Sequence, residues 1–286
     1  MSPVVWLVKA NEGKATTVRL MEQMDAAAIL KPKSRIMVKL NITANLPPES
    51  GVITFPSVLD GALAYLADHG IRNVVVAEGG GEDVSVAFDR FGYREVATRY
   101  GVPIVDLNRD EAEWVEVPNP LVVPRFSILK TVRSCDAIVN LPCLKVHNAD
   151  AVVTICMKNM MGCIERCRRG EMHKGITQRL MDLLKIVRPT VNVVDGLVGR
   201  TWGEIHGEPA DMGVMLAGTD MVAVDAVGAA TMDMLNVPHI DLAAQHGYGV
   251  SDLSQIEVRG EPVASVRKHY RRRGWRADTW GGEPKA

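Results

Sequence analysis

Apolar residues along this chain fall alternately into short β-branched runs and stretches at helical spacing. VVWLVKA (residues 4–10) reads as a strand, and residues 13–30 carry Val18, Met21, Met24 and Ala28 at helical intervals. RIMVKLNI (35–42) is a second strand pattern, closed by the breaker cluster Asn45-Leu46-Pro47-Pro48. Pro56-Ser57 opens a helix through Val58, Leu59, Leu63 and Leu66 that Gly70 stops. IRNVVVAE (71–78) is a strand, followed by Gly79-Gly80-Gly81, a helix from 83 to about 100 and the strand VPIVDL (102–107). Further on, a helix is expected near 128–135, and DAIVNLP (136–142) is a strand. AVVTICMKN (151–159) fits a strand or a buried helical turn equally, and 162–175 reads as a functional loop or broken helix. Residues 176–187 are helical, TVNVVDGL (190–197) is a strand, and Thr219-Asp220 can cap a helix from 221 to about 235. This order predicts an α/β fold, a largely parallel or mixed sheet flanked by helices. Two closely joined lobes are expected, residues 1–115 and 116–266, with a basic tail over 267–286.

Composition narrows the class. The chain has 286 residues, 47% hydrophobic and 23% charged, which excludes wholesale disorder. Thirty-three Lys and Arg against 34 Asp and Glu leave a net charge of −1, which argues against a dedicated nucleic-acid binder. The opening MSPVVWLVKANEGK has no basic stretch and long apolar core of a secretory signal. No apolar run approaches the ~20 residues that span a bilayer, so no membrane partner is expected. Five cysteines, an odd number, cannot all pair within the chain, and the cytoplasm is the expected address.

In an open parallel sheet, ligands bind beyond the carboxyl ends of the strands. The polar residues expected there are Lys39 with Asn41, Glu78 with Gly79 and Gly80, Asp106, Lys145 with His147, and Asp195. Lys145 and His147 are two apart, so on a continuing strand they share a side, a cation beside a titratable imidazole. Lys158 and Asn159 add a second cation and an orienting amide. The triple glycine can approach an anion through its backbone N–H groups, or simply make a tight turn. It is neither G-x-G-x-x-G nor a P-loop, and the acids around it favour a metal or hydroxyl-rich ligand.

Cys156, Cys163 and Cys167 lie close in sequence, with Cys135 and Cys143 upstream, at no recognised zinc or ferredoxin spacing. Cys156 reads as a core residue. Cys163 and Cys167 would share a helix face beside Arg166, Arg168 and Arg169, whose charge favours a reactive thiolate. An iron–sulfur cluster on Cys143, Cys163 and Cys167 is one cofactor reading. A divalent metal held by His147, His173 or His206 with Asp195 and Glu204 is another.

At these residues the chain resembles the prokaryotic domain-of-unknown-function family 362. The stretches that carry the resemblance include VKLN (38–41), EGGG (78–81), DAIVNLPCLKVH (136–147), CMKNMMG (156–162), VVDGLVG (193–199) and AGTDMVAVDAV (217–227). The resemblance implies an α/β fold, sometimes with an appended ferredoxin-type domain, whose cysteine run this chain lacks. It singles out Lys39, Asn41, Lys145, His147, Lys158, Asn159, His173, Asp195, Asp220 and Asp225. Asp220 is expected to cap a helix and Asp225 to pair locally on it.

Taken together, these residues point to an enzyme acting on a small anionic metabolite, a carboxylate or phosphate, by proton-transfer, lyase or isomerase chemistry, with or without a metal. Lys39, Lys145 and Lys158 would gather around the anion with Asn41 and Asn159, His147 or His173 would move the proton, and Asp195 would orient a histidine. Two alternatives stand beside it: a thiol or iron–sulfur redox protein, and a non-catalytic anion-binding module. The tail, with Arg267, Lys268, Arg271, Arg272, Arg273 and Arg276 among Tyr270, Trp275 and Trp280, is expected to dock on a second subunit or over the site rather than on nucleic acid.

Overall fold

Every residue of IMVK (Ile36–Lys39, strand β2) and VVVAE (Val74–Glu78, β3) is buried, as strands covered on both faces must be. The computed structural model in which they lie describes residues 2–31, 33, 35–147 and 151–270. Side chains alternate between two apolar layers: Met37 and Val75 enter one core cluster, Ile36, Val38, Val74 and Val76 the other.

The remaining strands are β1 (Val4–Lys9), β4 (Ile104–Asp106), β5 (Ala112–Glu116), β6 (Arg125–Leu129), β7 (Ala137–Asn140), β8 (Cys143–Val146), β9 (Val153–Thr154), β10 (Val191–Arg200), β11 (Pro209–Gly218) and β12 (Glu257–Gly260). A mixed ten-stranded sheet runs in the order β12-β1-β11-β10-β7-β2-β3-β4, with β8 attached to β10 and β9 to β8. β10, β7, β2, β3 and β4 are parallel, whereas β11 is antiparallel to β1 and β10. Chain order reverses between β2 and β7: β3 and β4 follow β2 on one side, and β7 returns on the other. The expected boundary near residue 115 is crossed by this sheet, since β2 pairs with β7 and β1 with β11 and β12. What lies at that position is the separate β5–β6 hairpin.

Several elements are shorter than the apolar periodicity predicts. The helix expected over 13–30 breaks into Gly13–Gln23 and Ala26–Leu30, because Asp25 takes a left-handed backbone at φ 48°. The one expected from 83 to 100 breaks at Gly92, φ 83°, into Val84–Arg90 and Tyr93–Arg99. The helix expected near 128–135 is present but shortened to Lys130–Arg133, its first two positions being the end of β6. The ambiguous 151–159 stretch is both things in turn, β9 and then a helical turn, Cys156–Asn159.

The basic tail is described only as far as Tyr270, and Arg271, Arg272, Arg273, Trp275, Arg276 and Trp280 lie outside the described residues. Its first residues pack on their own chain: Lys268 N donates to Thr231 O at 2.9 Å and Tyr270 is buried. Among the described residues, no helix is long and apolar enough to cross a membrane.

Candidate functional site

Lys39 ends β2 and Glu78 ends β3, and both are buried. Lys39 Nζ lies 2.5 Å from Glu78 Oε2 and donates to Leu40 O at 2.8 Å. Burial pushes the Glu78 carboxyl up, while Lys39 and then Arg169 pull against it. Arg169 closes this corner by donating to Gly80 O at 2.7 Å and Ile164 O at 3.0 Å. The three glycines are packed tight here: a Cβ on Gly80 would stand 1.9 Å from Ile42 O, and one on Gly79 2.4 Å from Gly162 O. Gly80 and Gly81 turn their carbonyls toward Arg169 and Arg166. The close-packing role of these glycines is therefore explicit, and carbonyls face cations where a phosphate cradle would offer N–H groups.

Next to this pair, at the β2/β7 reversal, four buried asparagines are linked head to tail. Asn192 Nδ2 donates to Gly218 O (3.3 Å), Asn140 Nδ2 to Asn192 Oδ1 (2.9 Å), Asn159 Nδ2 to Asn140 Oδ1 (2.7 Å) and Asn41 Nδ2 to Asn159 Oδ1 (3.1 Å). Contacts from the same amide nitrogens to backbone carbonyls, Asn140 to Cys156 O and Asn159 to Leu40 O, set which end of each amide points where. Asn41 Oδ1, at the end of the chain, is buried without a partner. Of these four, Asn140 and Asn192 are not among the candidates read from sequence, since an Asn inside a strand pattern looks like any polar interruption.

The third group is the cation and imidazole cluster. Lys145, on β8, is fully buried and donates to Thr43 Oγ1 at 2.8 Å and Val52 O at 3.0 Å. Lys158, on the Cys156–Asn159 turn, reaches Glu204 Oε2 at 3.2 Å, and His147 Nε2 stands 3.3 Å from Glu204 Oε1. Thr154 Oγ1 adds a third donor to Glu204 Oε2 at 3.3 Å. The exposed ring of His173 stacks on buried His147, centroids 5.6 Å apart at 12°. Burial alone would push Glu204 up, but Lys158, His147 and Lys145 outweigh it and hold the carboxyl well below its usual range. Burial lowers the Lys145 ammonium, with Cys143 and Glu204 opposing and Lys158 adding to the drop. Burial also lowers His147, against the pull of Glu204. Each of these groups therefore feels the others through a largely water-free medium.

Asp225 positions this cluster from behind. Rather than pairing on its own helix, Met221–Thr231, it accepts from Cys156 N at 2.7 Å and Met157 N at 3.1 Å, seating the turn that carries Lys158 and Asn159. Burial raises its pKa to about 7. Asp220 caps the helix, accepting from Val222 N and Ala223 N. His239, fully buried nearby, feels Lys158 and His147, and burial pushes it down to about 3.

The expected gathering of three ammonium groups thus divides. Lys158 and His147 share Glu204, with Lys145 acting on it through space and His173 stacked on His147, whereas Lys39 is committed to Glu78. Asp195 does not orient either histidine: its carboxylate accepts from Phe55 N at 2.7 Å and Leu197 N at 3.1 Å, with burial raising it to about 6. The cysteines separate too. Cys143 and Cys163 are buried, their thiols pushed up to about 12 and about 11 by desolvation, while Cys167 is exposed on a different turn, Arg166–Arg168. Cys163 and Cys167 accordingly do not share a helix face. Among the described residues, no group of three His, Cys, Asp or Glu side chains is placed to hold a metal ion, so neither the Cys143, Cys163 and Cys167 set nor a histidine-carboxylate set is assembled. Glu204, considered from sequence only as a metal ligand, is instead the anion of the cluster. Its partner His147 lies far upstream with no shared periodicity, so no local signal links them.

The profile of the family described as "Domain of unknown function (DUF362)" matches residues 36–230. The chain is similar to the thylakoid-associated protein sll1697 of Synechocystis sp., with 26% identity over 242 residues, 78% of this chain and 70% of that protein. A solved structure, the lactate racemase apoprotein from Thermoanaerobacterium thermosaccharolyticum, aligns at a TM-score of 0.47 and 12% identity, covering 82% of this chain. The chain spans 58% of the length of that structure.

Proposed function

This chain belongs to the DUF362 family, and we propose that it is an enzyme that binds a small carboxylate-bearing anion and moves a proton on it. The observation that carries this reading is the stacked His147–His173 pair whose inner ring shares one carboxylate with Lys158. An ammonium and an imidazole N–H fix an anion, and a second imidazole open to solvent exchanges protons.

In this reading Lys158 and His147 Nε2–H orient the anion, and buried Lys145 supplies positive charge within reach of it. His173 takes the proton from the carbon next to the carboxylate. The electron pair left behind spreads onto the carboxylate oxygens, where the two ammonium groups stabilise it, a contribution that a dry setting enlarges. Return of the proton from His173 completes an exchange or an isomerisation, and departure of a neighbouring group instead gives a lyase. Low-pKa His147 stays neutral at pH 7, so it donates a hydrogen bond without adding a full charge. A cytoplasmic address remains part of the proposal, on the odd thiol count.

The test is solvent-proton exchange. The purified chain is incubated in D2O with a panel of small 2-hydroxy, 2-amino and dicarboxylic acids, and loss of the α-proton signal is followed by NMR. Exchange into at least one acid, abolished in His173→Asn, is the expected result. Saturable binding of an acid with no exchange in any of them would establish the non-catalytic module instead.

A further inference from the structure

Glu204 reaches the cluster from a connecting loop, whereas the groups that receive it belong to the sheet and its adjoining turn. Residues 201–208 join β10 to β11 and are clasped at the base, where Thr201 N donates to Glu208 O at 3.0 Å and Glu208 N to Thr201 Oγ1 at 3.1 Å. Arg200 holds the loop's far side through Ile205 O at 2.5 Å. Within it, Trp202 takes a left-handed backbone at φ 27°, and a Cβ on Gly207 would meet Thr201 O at 1.8 Å. Glu204 is thus a single carboxylate carried at the tip of a tethered turn.

Its two oxygens are met from three separate elements. His147 Nε2 (3.3 Å) follows β8, Thr154 Oγ1 (3.3 Å) belongs to β9 and Lys158 Nζ (3.2 Å) to the helical turn after it. All three residues are buried, while the Glu204 side chain keeps 18% exposure. Fixed, dry donors around a partly exposed acceptor on a loop have the form of a receptor and its ligand. A free carboxylate offers the same charge and the same pair of oxygens.

We infer that His147, Thr154 and Lys158 form a carboxylate subsite that Glu204 fills from within, and that the 201–208 loop withdraws when the carboxylate of an incoming anion takes its place. This rests on the proposed function above and names the group the site recognises. The exchange leaves the charge of the cluster unchanged, so Lys145, Lys158 and His147 never confront one another without an anion between them. A tethered carboxylate competes at an effective concentration of about millimolar or above, so simple carboxylates bind the intact protein weakly.

Acetate is the probe. The full chain and its Glu204→Ala and Glu204→Gln variants are titrated with 13C-acetate in chloride-free buffer, with imidazole 15N signals of His147 followed in parallel. Removal of the internal competitor is expected to tighten acetate binding by about tenfold or more in Glu204→Ala, and Lys158→Ala in that background is expected to abolish the gain. If Glu204→Ala does not fold, Glu204→Gln, which keeps the size and loses the charge, carries the same expectation. Equal affinity in wild type and both variants, with the His147 signals unmoved by acetate, would overturn the subsite while leaving anion binding intact. Absence of saturable binding in all three would overturn the anion site itself along with it.

Discussion

His147 Nε2 stands 3.3 Å from Glu204 Oε1, the imidazole buried and the carboxylate also held by Lys158. Burial keeps the ring neutral and the neighbouring cations keep the carboxyl ionised. The expected state at pH 7 is therefore a neutral imidazole with its proton on Nε2. Long-range 1H–15N correlation spectra read this directly, and acid titration should give a midpoint below 6.5. A midpoint above 6.5 would mean that attraction to Glu204 outweighs burial and would remove this assignment.

His239 makes a pH-dependent contribution of definite sign. Its folded pKa, about 3, lies below the ordinary 6.5, so between those values the unfolded chain binds a proton that the folded chain does not. Stability at this position is present above pH 6.5 and is lost as pH falls, by about 1.4 kcal/mol per unit for one proton. Urea unfolding of wild type and His239→Leu between pH 4 and 7 is expected to show the two diverging toward acid, with the variant favoured. Parallel curves would show that the imidazole is not held neutral.

Lys39 and Glu78 form an ion pair with no exposed Lys39 surface. Lys39→Met leaves the buried Glu78 carboxylate without its contact partner and is expected to cost about 3–5 kcal/mol in denaturant unfolding. Lys39→Met combined with Glu78→Leu should recover much of that loss, because the stranded charge is gone. A double variant as unstable as the single would mean the cost lies in shape rather than charge.

Asn159 donates to Asn140 Oδ1 and Leu40 O and accepts from Asn41. Asn159→Ala strands the Asn140 Oδ1 acceptor and the Asn41 Nδ2 donor, at about 1–3 kcal/mol for each buried group left unpaired, while Leu40 O keeps its donor from Lys39 Nζ. Asn159→Asp is expected to be worse, because a carboxylate cannot donate to either oxygen. Unfolding midpoints for the two variants check the order.

The thiols give a direct readout of the cysteine arrangement. Cys167 is exposed, Cys143, Cys156 and Cys163 are buried, and Cys135 is intermediate. A thiol reagent such as DTNB is expected to modify Cys167 quickly and Cys135 slowly, with all five reacting only after denaturation. Iron bound to freshly purified, air-protected protein, with Cys167 shielded from the reagent, would contradict this arrangement.

Much of the scaffold was legible because buried parallel strands write themselves as apolar runs. VVVAE is a strand over Val74–Glu78, and the Pro56 helix, expected to stop at Gly70, spans Pro56–Asp68. The β5–β6 hairpin was not legible, since AEWVE is largely exposed and offers no clean alternation to read. Within the site, residues at strand ends could be nominated from position alone. Their pairing could not: nothing in local spacing distinguishes Lys39, which Glu78 takes up, from Lys158, which meets a glutamate brought in by a remote hairpin. Asp195 reads as catalytic for the same reason, while its remote donor, Phe55 N, depends on where that distant segment comes to rest.

Strand β1 lies between β11 and β12, joining residues 4–9 to two strands far along the chain, residues 209–218 and 257–260. On the ribosome it emerges well before either partner, and both of its hydrogen-bonding edges stay open until residues 209–260 have been translated. The inner parallel strands can associate earlier, so final closure of this side is a slow, long-range event. A truncation before residue 209 would leave VVWLVK as an apolar segment seeking a partner, and such fragments are expected to aggregate rather than persist as a half-sized fold.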